Sequence, residues 1–253
     1  GSIANASDIG WDFDYRCSVA AGAITALTLD NGALLEGDLF VDCSGQRGLL
    51  IGEAMGVPMK SMSHVLPNDR AVATQVPYSD PGAQIASVTR STAQASGWIW
   101  DIGLQSRRGV GYVHSAAHIS EDQAVSSVLD YVKRSDDGID VGQLDVRVIP
   151  FNAARREKAW VKNCVAIGLA AGFVEPLEAS SIALIEQATT RLCQILPLDA
   201  DHYEAEASAF NDQMSRQWSQ VEEFLQLHYV LSQRSDSAYW RDVRSDERVL
   251  PEL

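Results

Sequence analysis

The 253-residue sequence is 46% apolar and 21% charged, with a formal net charge of -14. That balance supports a buried core and excludes disorder over most of the length. The acidity excludes a nucleic-acid groove or an anionic membrane surface as the main partner, and no apolar run reaches the roughly 18 residues of a membrane span. Four cysteines, Cys17, Cys43, Cys164 and Cys193, lie far apart without CxxC spacing. They read as buried thiols in a reducing cytoplasm rather than as zinc ligands or a disulfide framework. The start at Gly1 shows no basic stretch followed by an apolar one, so no signal peptide is expected.

From Asp12 to Asp42 the pattern is β. Phe13, Tyr15 and Cys17 alternate with polar positions, and Ile24, Leu27 and Leu29 continue in the same manner. Asp30-Asn31-Gly32 is a hairpin turn, because Asn-Gly tolerates positive φ at both central positions. A strand over 34–42 ends at Cys43-Ser44-Gly45, with a helix starting near Arg47. Residues 71–78 and 84–92 read as strands of a β-rich layer. Gly97–Ile102 and Gly109–His114 form a hairpin, with Arg107-Arg108 in its turn. Ser120 caps a helix reaching about Lys133, and Gln123 occupies the capping-box position. Strands follow at 146–151 and 161–168. A helix spans 180–195 and stops before Pro197. A long amphipathic helix from Asp201 to Leu231 has Phe210, Met214, Trp218, Val221, Phe224, Leu225 and Tyr229 at helical spacing.

Two segments carry chemistry. In Leu39-Phe40-Val41-Asp42-Cys43-Ser44-Gly45 a hydrophobic strand ends in an acid and a small-residue turn. Doubly wound folds bind cofactors at such carboxyl ends, though a plain strand-to-helix turn has the same pattern. In Asn163–Ile182 a buried strand leads into Gly168, Ala171 and Gly172, then Pro176 and a helix start. Small residues let the backbone approach a flat ligand, and helix N-terminal amides favour an anion. This second segment resembles a flavin-binding segment of the aromatic hydroxylase superfamily, with Leu169 where an acid usually follows the glycine.

Gly172-Phe173-Val174-Glu175-Pro176-Leu177-Glu178 is similar to the corresponding stretch of flavin-dependent tryptophan halogenases. Gly97-Trp98-Ile99-Trp100-Asp101-Ile102 resembles their Trp-x-Trp-x-Ile-Pro segment, and Arg107, Gly109, Gly111, Tyr112 and Ser115 the strand after it. Asp38–Gly45, Arg47–Ile51, Ala159–Cys164 and His228-Tyr229 extend the likeness over nearly the whole chain. The resemblance implies that reduced FAD and oxygen convert a bound halide to hypohalous acid. That species reaches tryptophan or another electron-rich arene through a tunnel, where a lysine and a glutamate orient or activate it. A separate flavin reductase would supply the reduced FAD.

On this resemblance Glu178 is the catalytic glutamate, able to accept a hydrogen bond from the oxidant or take the ring proton; its other reading is an anion at a helix start. Asp42, Ser44, Gly45, Gly168, Ala171, Gly172 and Pro176 would contact FAD. The halide would sit at the amides of Ser180 and Ser181, where serine is also an ordinary cap. Trp98 and Trp100, two apart on one strand face, would wall flavin from substrate or form a core aromatic pair. His228 would approach the substrate pocket, or serve only structure. His114 and His118 lack the acid a zinc protease needs, so no metal site is expected.

Three departures bear on function. GxGxxG and the family's lysine are absent from this sequence, and the closing C-terminal segment is short, so the isolated chain is expected to bind FAD poorly. The family's Pro is Gly103 here, and its Ser-Thr-Gly after the glutamate is Ala179-Ser180-Ser181. An aromatic monooxygenase and a non-catalytic binding fragment remain alternatives. The expected fold is α/β, a partial aromatic-hydroxylase-like FAD fold. Residues 3–60 and 161–197 supply FAD-module parts, 61–160 a substrate-side sheet, and 198–253 a helical region. Exposed edges in a partial module would leave room for a homodimer.

Overall fold

The computed structural model describes residues 15–80, 82–196, 202–251 and 253. Among its strands, in chain order, are β1 (Tyr15–Ala20), β2 (Ala23–Leu29), β3 (Leu34–Leu35), β4 (Phe40–Asp42), β5 (Arg70–Pro77) and β6 (Arg90–Gln94). Then come β7 (Gly97–Gly103), β8 (Arg107–His114), β9 (Val146–Pro150), β10 (Trp160–Val161) and β11 (Cys164–Ala166). The helices are α1 (Glu121–Ser135), α2 (Ser180–Ile195), α3 (Tyr203–Val230) and α4 (Ala238–Asp242). The chain divides into two compact units. One comprises Gly1–Met59, Arg156–Gly172 and Ile182–Gln217; the other Lys60–Arg155, Phe173–Ser181 and Trp218–Leu253. The class is mixed α/β, with sheets preceding C-terminal helices.

In the first unit β1, β2 and β3 form an antiparallel sheet, and β4 runs parallel to β11, which pairs with β10. The expected Asn31-Gly32 turn is present: Gly32 has φ 80° and the Asn31 side chain accepts from the Ala33 amide at 2.9 Å. A second tight turn at Ala21-Gly22, with φ of 50° and 76°, joins β1 to β2. Ile24, Phe40, Leu50, Ile51, Val57, Cys164 and Ala166 make the core. Two asparagines stand in for missing strands. Asn163 takes the Ile24 N–H at 2.9 Å and donates to its carbonyl at 2.8 Å. Asn211 on α3 treats Trp160 in the same way, at 2.9 and 2.8 Å. Backbone groups that would otherwise be orphaned are thereby paired.

In the second unit the sheet order is β9-β5-β8-β7-β6, antiparallel throughout. Helix α1 covers one face. Its Ala124, Val128 and Val132, spaced by four, pack on Val72, Val76, Ile99 and Tyr112. The predicted capping box of Ser120 and Gln123 forms. Trp98 and Trp100 point to the opposite face from Ile99, as the strand period dictates. Gly111 lies across from Trp100, and a Cβ there would meet the Trp100 ring at 2.1 Å. Gly111→Val is therefore expected to destabilise by about 3 kcal/mol or more through overpacking. A urea-unfolding midpoint equal to that of the unaltered protein would refute this.

Several expectations require correction. The strand expected at 84–92 is β6, at Arg90–Gln94. Arg107 and Arg108 belong to β8, not to the turn before it. The single strand expected over 161–168 is broken after Val161, because Lys162 takes φ 53° and the chain doubles back. Cys43 and Cys193 are exposed, not buried; of the four thiols Cys164 is fully buried, and burial pushes it up to about 12. Helix α3 contributes to both units. Phe13, Pro197 and Asp201 lie outside the described residues.

Candidate active site

The residues expected to contact FAD, Pro176 excepted, gather in the first unit, at the carboxyl ends of the parallel pair β4 and β11. Asp42 ends β4 and is buried. One carboxylate oxygen accepts from the Ser44 amide at 2.9 Å and its hydroxyl at 2.5 Å. The other accepts from the Leu50 and Ile51 amides at 2.9 and 2.8 Å. The carboxylate is thus spent on shaping its own loop. Ser44 Oγ also takes the Leu49 amide at 2.7 Å. Gly45 and Gly48 turn the chain with φ of 79° and 56°, a conformation that costs glycine little. At the end of β11, Gly168 has φ 70°, and Ala171 and Gly172 are buried. Leu169, Ile182 and Ile185 remain exposed. Small buried residues beside exposed apolar ones fit one face of a flat aromatic ring system; no phosphate-binding glycine fingerprint accompanies them in this sequence.

The remaining expected residues lie in the second unit. Pro176 is exposed and begins a short helical turn, Leu177–Ala179. Glu178 and Ala179 have φ of 57° and 53°. Two consecutive non-glycine residues in the left-handed region cost about 1–3 kcal/mol each and require outside support. The turn lifts the Glu178 carboxylate to the surface, 4.0 Å from His228 Nε2. His228 Nδ1 lies 2.8 Å from the Phe224 carbonyl, so that nitrogen carries the proton and Nε2 faces the carboxylate. Helix α2 begins at Ser180, whose first amides lack intrahelical acceptors. Ser180 is buried and donates to the Leu177 carbonyl at 3.3 Å, whereas the buried Ser181 hydroxyl finds no partner among the described residues. Among those residues no cluster suited to a metal occurs; His118 is engaged by Ser115 at 3.0 Å and Asp242 at 3.3 Å.

Trp98 and Trp100 contact edge to face, 6.3 Å between centroids. Trp98 is buried and Trp100 half-buried. The Trp98 indole N–H closes no hydrogen bond of good geometry among the described residues, yet as a nearby donor it favours the ionised form of Glu175. Glu175 is the residue that sequence reasoning passed over. It is 1% exposed, and both oxygens are occupied: one by the Tyr229 hydroxyl, the other by Asn68 Nδ2 at 2.5 Å. Asn68 Nδ2 also donates to Tyr229 at 2.9 Å, and its carbonyl accepts from Tyr239 at 3.0 Å. An acid beside a proline in a small-residue stretch was the available signal. Its partners at 68 and 229, and Tyr239 behind Asn68, have no local pattern.

Burial pushes the Glu175 carboxyl above the usual carboxylate range, against the opposing effect of the Tyr229, Asn68 and Trp98 donors. A raised folded-state value gives a contribution to stability that is full below the unfolded-state value near 4.3 and lost as pH rises through the folded-state one. Denaturation midpoints between about pH 4 and 8 should therefore shift in favour of Glu175→Gln over the unaltered protein as pH rises. Parallel curves would contradict the assignment.

Residues 14–253 match the family model for tryptophan halogenase. The chain belongs to the tryptophan halogenase family. Among curated members, tryptophan 6-halogenase SttH of Streptomyces toxytricini is 40% identical over 216 residues, 85% of this chain and 40% of that halogenase. Among solved structures, a tryptophan halogenase of Shewanella frigidimarina NCIMB 400 aligns with TM-score 0.90 and 44% identity, over 94% of this chain and 45% of that one. BrvH, a flavin-dependent halogenase from Brevundimonas sp. BAL3, aligns with TM-score 0.84 and 44% identity, over 94% and 46%. The chain thus spans less than half the length of these halogenases.

Proposed function

We propose that this chain supplies the glutamate, the halide-binding helix start and part of the flavin surface of a flavin-dependent halogenase acting on tryptophan or a related electron-rich arene. The carrying observation is Glu178, raised on a left-handed turn at the start of α2 with His228 beside it. Reduced FAD, when bound, supplies with oxygen the oxidation of chloride or bromide to hypohalous acid. The Ser180 and Ser181 amides hold the halide, as helix N-termini hold anions. Gly45, Gly168, Ala171, Gly172 and Pro176 let the backbone approach the flavin closely, and Ser44, with Asp42, holds that loop in shape. Trp98 and Trp100 restrict the path between flavin and arene. Glu178 accepts the ring proton once halogen has added, and His228 Nε2 faces the oxygens that take it. The partners are a separate flavin reductase and a small aromatic substrate, in the cytoplasm.

The test is turnover of the complete protein with reduced FAD, oxygen, bromide or chloride and a panel of indoles, read by mass spectrometry. Halogenated product supports the proposal. Hydroxylated product, or hydrogen peroxide alone with every halide, overturns it and favours a monooxygenase.

A further inference from the structure

The left-handed turn at Glu178 and Ala179 cannot hold itself, because neither residue is a glycine. What holds it lies three residues earlier. Glu175 is buried with both oxygens bonded, and Asn68 spends both amide hydrogens and its carbonyl in the same network. Pro176 separates Glu175 from the turn and fixes one backbone angle between them. Tyr229, which bonds Glu175, adjoins His228, which faces Glu178. One turn of α3 thus engages both glutamates of one loop.

We propose that the buried Glu175–Tyr229–Asn68–Tyr239 cluster positions Glu178 against His228, and that Glu175 is a positioning residue for the reaction. The cluster is buried throughout, so it acts through the loop and not by touching substrate. Its chemistry is specific. A carboxylate accepts on both oxygens, whereas glutamine would set an NH2 group against either the Asn68 NH2 or the Tyr229 hydroxyl proton. The catalytic part of this inference rests on the halogenase reading; the structural part does not.

The experiment uses the complete protein with Tyr229→Phe, which removes a single hydroxyl, and Glu175→Gln. Amide hydrogen exchange is measured for residues 177–181 and, as reference, for Val128 and Val132 in α1. Steady-state halogenation is measured in parallel. In both variants exchange at 177–181 is expected to accelerate about 10-fold or more with the α1 reference unchanged. The kcat is expected to fall about 10-fold or more while KM for the arene stays within about 2-fold, as for a misplaced catalytic group. Unchanged exchange at 177–181, a rise that includes Val128 and Val132, or a local rise with kcat within about 2-fold overturns the proposal. If the unaltered protein forms no halogenated product, the halogenase reading fails by itself. Exchange then decides the positioning of the loop, and a catalytic part is refuted.

Discussion

Glu178→Gln in the complete protein is expected to lower kcat for halogenation by about 10²–10⁴-fold, the usual worth of a positioned acid or base. Glutamine matches glutamate in shape and tolerates the same φ of 57°, so the turn should persist. The side chain is 55% exposed and its partner His228 lies 4.0 Å away. Its loss should therefore cost no more than about 0.5 kcal/mol of stability. An unchanged melting temperature with a collapsed kcat is thus the expected pair of results, and KM should barely move because the arene binds before the proton leaves. A kcat within a few-fold of the unaltered value would return Glu178 to the role of a helix-start anion.

Asp42→Ala is expected to have the largest effect on stability, about 3–5 kcal/mol. Four hydrogen bonds converge on its two oxygens, two of them from the amides of the buried Leu50 and Ile51. Each buried N–H left without an acceptor costs about 1–3 kcal/mol. Against a total stability of about 5–15 kcal/mol, such a loss would leave the first unit marginal. Asp42→Asn should recover only part of the loss, because one carboxylate oxygen becomes an NH2 facing N–H donors. Denaturant midpoints of the three proteins check the order. If alanine and aspartate unfold together, the loop is held by other contacts.

The sequence made some of this legible because certain residues permit few conformations. Asn31-Gly32 placed a turn, and Ser120 with Gln123 placed a helix start, because each acts within four residues. Helix α2 was readable from its bounding serine and proline. What escaped depends on contacts between distant residues. The break after Val161 needs Lys162 in a left-handed conformation, which lysine does not advertise. Helix α4 has five residues and no periodicity to read. Within the site, Glu178 was visible from the family likeness. Asp42 was visible too, as the acid that ends a strand before a tight loop; which amides it would hold was not, because they lie up to nine residues on. Glu175 stood in the sequence only as an acid beside a proline; its burial was not legible, since its partners Asn68 and Tyr229 are separated from it by 107 and 54 positions.

The two asparagines that replace strands also make the first unit sensitive to the loss of a single amide group at either position. Each side-chain amide accepts from one backbone N–H and donates to one carbonyl, at Ile24 for Asn163 and at Trp160 for Asn211. Deamidation to aspartate would exchange the donating NH2 for an acceptor oxygen and set a negative charge against that carbonyl. The same two sites that close the sheets would then repel them, loosening the buried backbone at Ile24 and at Trp160.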